Sequence, residues 1–203
     1  EWVETMFAAH RVGATVVGVS TWAKPRELEY YLSHSGADAV VATASFAGTD
    51  FASMLDDLLD GALTDASAVP GSLDAPAVPE LDTVVLLGEE LPGAVSFGDL
   101  AVDTPDAGTD PNDPGDTALL LYTSGSTSKP KGVPLLHGGV VENGYQIGER
   151  LHLTPADRVW LASPLFWSYG SANALATLVT HAGSLLLQAP FDPEVALELI
   201  REH

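Results

Sequence analysis

The 203-residue chain contains no cysteine, which excludes disulfides and thiolate metal sites. It is also poor in positive charge: eight Lys and Arg stand against 28 Asp and Glu, for a formal net charge of −20. Between Arg26 and Lys129 there is no Lys or Arg, while 19 carboxylates fall in that interval. Binding DNA or RNA needs clustered Lys or Arg to displace phosphate counterions, so nucleic acid is excluded as a partner. The acidity reads instead as a solubility device. Long hydrophobic runs are missing too. No stretch of 18 apolar residues occurs, and the first twenty residues carry Glu1 and Glu4 without a basic n-region, so neither a membrane span nor a signal peptide is expected and the cytoplasm is the default location. The histidines show no metal-ligand spacing, and no metal site is expected within the chain.

What is present is a 46% hydrophobic composition, enough for a real core, in an alternating pattern. "EWVETMFAAHRV" puts Trp2, Met6, Ala9 and Val12 on one helical stripe before Gly13. "ATVVGVS" reads as a buried strand, "KPRELEYYLSHSG" as a helix opened by Pro25 and closed by Gly36 with Leu28, Tyr31 and Leu32 inward, and "ADAVVAT" as the next strand. Helix alternating with short Val-rich strand is the pattern of an α/β fold with parallel sheets flanked by helices. From 49 to 113 the pattern loosens. "FASMLDDLLDGAL" is amphipathic and "LDTVVLLG" is an apolar strand, but the remainder reads as surface connection, and 104–117, "TPDAGTDPNDPGDT", as a connecting loop. Beyond it come the strand "ALLLYT", a Ser/Gly/Lys loop, a helix at about 138–150, the strand "RVWLASP", a helix from about 169 to 181, the strand "GSLLLQA", and a last helix with Asp192 as its N-cap.

The loop "TSGSTSKPKG" (123–132) holds two of the chain's three lysines. Hydroxyls at Thr123, Ser124, Ser126, Thr127 and Ser128, glycines at 125 and 132 and ammonium groups at Lys129 and Lys131 together suit phosphate, which backbone N–H groups can wrap and a lysine can offset. The same residue types also make an ordinary surface loop. A Walker A loop fails, because Pro130 stands where its second glycine belongs. Ser-x-x-Lys is met twice, at Ser126/Lys129 and Ser128/Lys131, with "SAN" at 171–173 as a second element, but Pro130 obstructs the helix a serine acyltransferase needs and Lys-Thr-Gly is absent.

"YTSGSTSKPKGV" (122–133) resembles the phosphate-loop signature of the adenylate-forming, or AMP-binding, superfamily, which includes acyl- and aryl-CoA synthetases, nonribosomal-peptide adenylation domains and luciferases. The match departs at Ser128, where the family usually has glycine. Residues 1–42 are similar to the family's N-terminal stretch, and "DRVWLASPLFWSYG" resembles its next motif, with Trp167 standing where acyl-CoA synthetases commonly have His and with Phe166 and Gly170 kept; 49–113 carries little signal. The resemblance implies that 1–203 is the N-terminal portion of the large AMP-binding domain of an enzyme most like an acyl-CoA synthetase. Such an enzyme joins a carboxylic acid to AMP and passes the acyl group to coenzyme A, with ATP, Mg²⁺ and coenzyme A required and a homodimer as an open assembly. A nonribosomal-peptide-type adenylation domain loading a carrier protein, or a non-catalytic nucleotide-binding module, are the alternatives.

By that resemblance Thr123, Ser124, Gly125, Ser126, Thr127 and Lys131 bind the ATP phosphates, with Lys131 as the catalytic charge, and Phe166, Trp167 and Gly170 line the acyl pocket. Trp167 either narrows or gates that pocket or is simply core. His137 matches a frequent family histidine and is expected to cap the following helix rather than to act chemically. The family's magnesium-binding Glu motif, ribose-binding Asp and C-terminal catalytic Lys have no counterpart in the chain, so the 203 residues alone are expected not to turn over.

Overall fold

The computed structural model describes residues 1–100, 111–123 and 129–203. Its elements divide between two compact units, one made of Glu1–Ser20 with Thr109–His203 and the other of Thr21–Gly108.

The first unit is built on β7 (Thr117–Thr123), which pairs in parallel with β1 (Val16–Gly18) on one side and antiparallel with β8 (Lys131–Leu136) on the other. Leu119 and Leu121 of β7 are buried with Met6 of α1 (Trp2–Arg11) and with Ala172 and Leu175. Strand β8 is an addition to the expected pattern. The Lys-Pro-Lys run leading into it and its internal Pro134 read as loop, yet an edge strand tolerates a residue without an N–H, and Pro134 pairs opposite Leu120. Helix α4 (His137–Leu151) starts directly where β8 ends. The expected 169–181 helix divides into a π-helix, Tyr169–Leu175, and α5 (Ala176–His181). Helices α4 and α5 touch closely: a Cβ on Gly144 would lie 2.6 Å from the Ala176 backbone carbon, and one on Gly148 would run into the His181 ring. Strands β9 (Arg158–Leu161) and β10 (Ser184–Leu187) form a parallel pair, followed by α6 (Pro193–Glu202). The Asp192 carboxylate caps α6 as expected, accepting from the Glu194 and Val195 amides at 2.9 and 3.0 Å.

In the second unit α2 runs Pro25–Ser35 and ends at Gly36 in the left-handed region (φ 63°), as its sequence predicts. Strands β2 (Ala39–Thr43), β5 (Thr83–Leu87) and β6 (Val95–Ser96) make a parallel sheet; β3 (Ser45–Phe46) and β4 (Thr49–Asp50) make a small antiparallel ribbon before α3 (Phe51–Leu58). The stretch after α3 is more than surface connection. Leu59, Leu63, Ala75, Val78 and Leu81 are all buried, and the Asp56 carboxylate fixes the turn by accepting from the Leu63 and Thr64 amides and the Thr64 hydroxyl at 2.9–3.1 Å. Val12, placed on the inward stripe of α1 by periodicity, is the helix C-cap and is exposed. No helix among the described residues is long and apolar enough to cross a membrane.

Candidate functional site

The site lies in the first unit, at the end of β7. That strand is buried through Leu121 and emerges at Thr123, which is exposed. Across the ladder Tyr122 faces Gly132 and Thr123 faces Lys131, so Thr123 and Lys131 are held opposite each other on one rung of an antiparallel pair. Lys131 is exposed at the head of β8, as is Lys129 just before it. Ser124, Gly125, Ser126 and Thr127, with Ser128, lie outside the described residues.

The second motif runs beside this strand end. Gly18 of β1 sits opposite Leu121, and a Cβ placed on it would lie 2.8 Å from the Phe166 carbonyl oxygen and 2.9 Å from the Leu121 side chain. A lone glycine in an apolar strand is the sequence sign of such a close backbone approach. Phe166 is buried, and Trp167, its ring 5.5 Å away and nearly perpendicular, is 47% exposed. Within these 203 residues Phe166 is part of the core and Trp167 is not. Gly170 is buried against Pro164 and Leu165, where a side chain would strike the Pro164 carbonyl. The Trp167 carbonyl accepts from both the amide and the hydroxyl of buried Ser171 at 3.1 Å each. Sequence reasoning passed over Gly18 and Asn143, the latter of which donates to the π-helix from α4, and weighed Ser171 only within Ser-Ala-Asn. Only Gly18 carried a readable signal.

His137 does not cap α4: the N-cap residue is Leu136, and no side chain caps the helix. The imidazole instead packs edge-on against His10 with ring centres 4.8 Å apart, and its buried Nε2 has no hydrogen-bond partner among the described residues. His10 holds the Ala118 carbonyl through Nε2 at 3.0 Å. Burial pulls the His10 pKa below the ordinary histidine value, the Ala118 hydrogen bond works against that shift, and the neighbouring His137 adds to it.

The described geometry is that of an α/β domain in which Thr123 and Lys131 meet at the carboxyl end of a core strand with the Phe166–Trp167 segment beside it. The family described as AMP-binding enzyme matches residues 1–203, and the chain belongs to that family. YngI of Bacillus subtilis (strain 168) is 30% identical over 210 residues, covering 100% of this chain and 38% of that protein. The mitochondrial medium-chain acyl-CoA ligase ACSF2 of Bos taurus is 30% identical over 216 residues, covering 98% and 34%. The crystal structure of the anthranilate CoA ligase AuaEII in complex with anthranoyl-AMP superposes with a TM-score of 0.77 at 25% identity, covering 98% of this chain and 35% of that one. The fold is accordingly that of the adenylate-forming ligases, and the chain spans little more than a third of the curated relatives it matches.

Proposed function

We propose that the protein containing this chain activates a carboxylic acid, of medium-chain fatty-acid type, as its acyl-adenylate and then transfers the acyl group to coenzyme A. One observation carries the reading: the β7–β8 register sets the hydroxyl-bearing Thr123 opposite Lys131 at one strand end, beside the Phe166–Trp167 segment that approaches Gly18. The name of ACSF2 supports the acid class, and the names of ACSF2 and AuaEII both support coenzyme A as the acceptor.

In the first step a substrate carboxylate oxygen attacks the α-phosphorus of ATP, the bond from that phosphorus to the bridging oxygen breaks, and pyrophosphate leaves. No side chain acts as nucleophile. The protein's contribution is to position the phosphates and to offset the charge that gathers on the leaving oxygens. The hydroxyls of Thr123, Ser124, Ser126 and Thr127 and the backbone freed by Gly125 hold the β- and γ-phosphates, and the Lys131 ammonium offsets their charge. Phe166 and Gly170 form the floor of the acid site and the Trp167 indole its wall. In the second step the thiol sulfur of coenzyme A attacks the acyl carbon, the acyl–phosphate bond breaks, and AMP leaves with the proton balance carried by solvent. The family resemblance also implies magnesium. Among the described residues no three His, Asp or Glu converge as its ligands, and no step above runs through it.

The test is ATP–pyrophosphate exchange by the intact gene product with a series of carboxylic acids, followed by thioester formation with coenzyme A or with a carrier protein. Acid-dependent exchange and a coenzyme A thioester support the reading. Exchange with transfer only to a carrier protein moves the acceptor, and no exchange with any acid defeats it.

A further inference from the structure

Asn143 lies on α4, seven residues after the end of β8, and both hydrogens of its side-chain amide go to the π-helix: Nδ2 donates to the Ala172 carbonyl at 3.0 Å and to Asn173 Oδ1 at 2.9 Å. A carbonyl only accepts, so this contact fixes which way the Asn143 amide points. The segment it holds departs from regular helix. The Asn173 amide donates back to Ser168 across five residues instead of four, and the Ser171 hydroxyl turns onto the Trp167 carbonyl. Gly144, next to Asn143, brings α4 close enough for the bond to form, since any side chain there would meet the Ala176 backbone. Helix α4 continues β8 without a loop, so a single side chain ties the element that begins at Lys131 to the turn that begins two residues after Trp167.

We propose that Asn143 is a positioning residue: it sets the π-helical turn, and through it the orientation of the Trp167 indole in the acid site. The inference rests on the acid-site assignment above. Asn143 touches no reacting atom, and its effect falls on how acids are chosen.

The experiment uses the full-length protein with Asn143→Ala, with Asn143→Asp, which keeps size but has no N–H to donate, and with Gln146→Ala on the same helix as control. Two quantities are read. One is the pair of KM values, for ATP and for a series of straight-chain acids. The other is the ¹⁹F resonance of Trp167 in protein labelled with 5-fluorotryptophan, assigned by its loss in Trp167→Phe. Both Asn143 variants are expected to change acid KM or chain-length preference on the order of tenfold, the size of effect a misplaced binding segment produces. KM for ATP stays within about twofold, and the Trp167 resonance moves, while Gln146→Ala changes neither. Equal losses for ATP and acid with a lowered Tm and an unmoved resonance would mark Asn143 as merely structural and overturn the proposal; so would wild-type behaviour of both variants. Should the wild-type protein show no acid-dependent exchange, the acid-site reading fails separately, and the fluorine resonance alone decides whether Asn143 positions Trp167.

Discussion

Thr123 and Lys131 face each other on the final rung of the β7–β8 ladder. The seven residues between them begin and end at fixed, adjacent points, one on a strand anchored in the core and one on its edge partner. Thr123 and Lys131 thereby meet where parallel-strand folds commonly bind their ligands, outside the carboxyl end of a core strand.

The close approach at Gly18 gives the first prediction. Gly18→Ala puts a methyl against the Phe166 carbonyl oxygen and the Leu121 side chain, at 2.8 and 2.9 Å, so one of the two must shift. Backbone yields less readily than side chain, and overpacking of this kind costs about 1–3 kcal/mol. Urea unfolding should show that loss, and steady-state kinetics of the full-length protein should show KM for the acid rising more than KM for ATP.

Exposure of Trp167 gives the second. Trp167→Ala removes the indole wall, and added substrate methylenes can fill the space at about 0.8 kcal/mol each. Preference should move toward longer or bulkier acids in competition assays. An unchanged chain-length profile would remove Trp167 from the acid site.

The paired histidines give a pH dependence. Burial lowers the folded-state pKa of His10 below its ordinary 6.5, so as pH falls through that value the unfolded chain takes up the proton first. Stability is therefore full above about 6.5 and declines below it, until the folded-state pKa is passed. Unfolding free energy measured between about pH 5 and pH 8 should show that slope, and His10→Gln should flatten it.

Legibility in the sequence followed the locality of the cause. Pro25, Gly36 and Asp192 act on their own backbone, and the helices they bound were readable; so was β7, whose apolar run must be buried wherever it goes. Strand β8 was not readable, because the Lys-Pro-Lys run leading into it and its own Pro134 carry the local chemistry of a loop, and only pairing with β7 makes 131–136 a strand. The apolar anchors of 59–81 follow no period, since coil buries residues singly. At the site, Lys131 and Trp167 were legible as members of motifs, but the Trp167 exposure, the edge-on packing of His137 on His10 and the reach of Asn143 to Ala172 depend on elements far apart in the chain.

The most direct measurement compares Lys131→Ala with Lys129→Ala in acid-dependent ATP–pyrophosphate exchange by the full-length protein, with thermal unfolding of both followed alongside. Lys131 stands on the β8 ladder opposite Thr123, and Lys129 precedes the strand. If the loop holds the pyrophosphate end of ATP, losing Lys131 costs about 2–4 kcal/mol of transition-state stabilisation, expressed chiefly in the ATP-dependent kinetics, while losing Lys129 costs little and neither change moves Tm appreciably. Small and equal losses for the two lysines in stably folded variants would contradict the account.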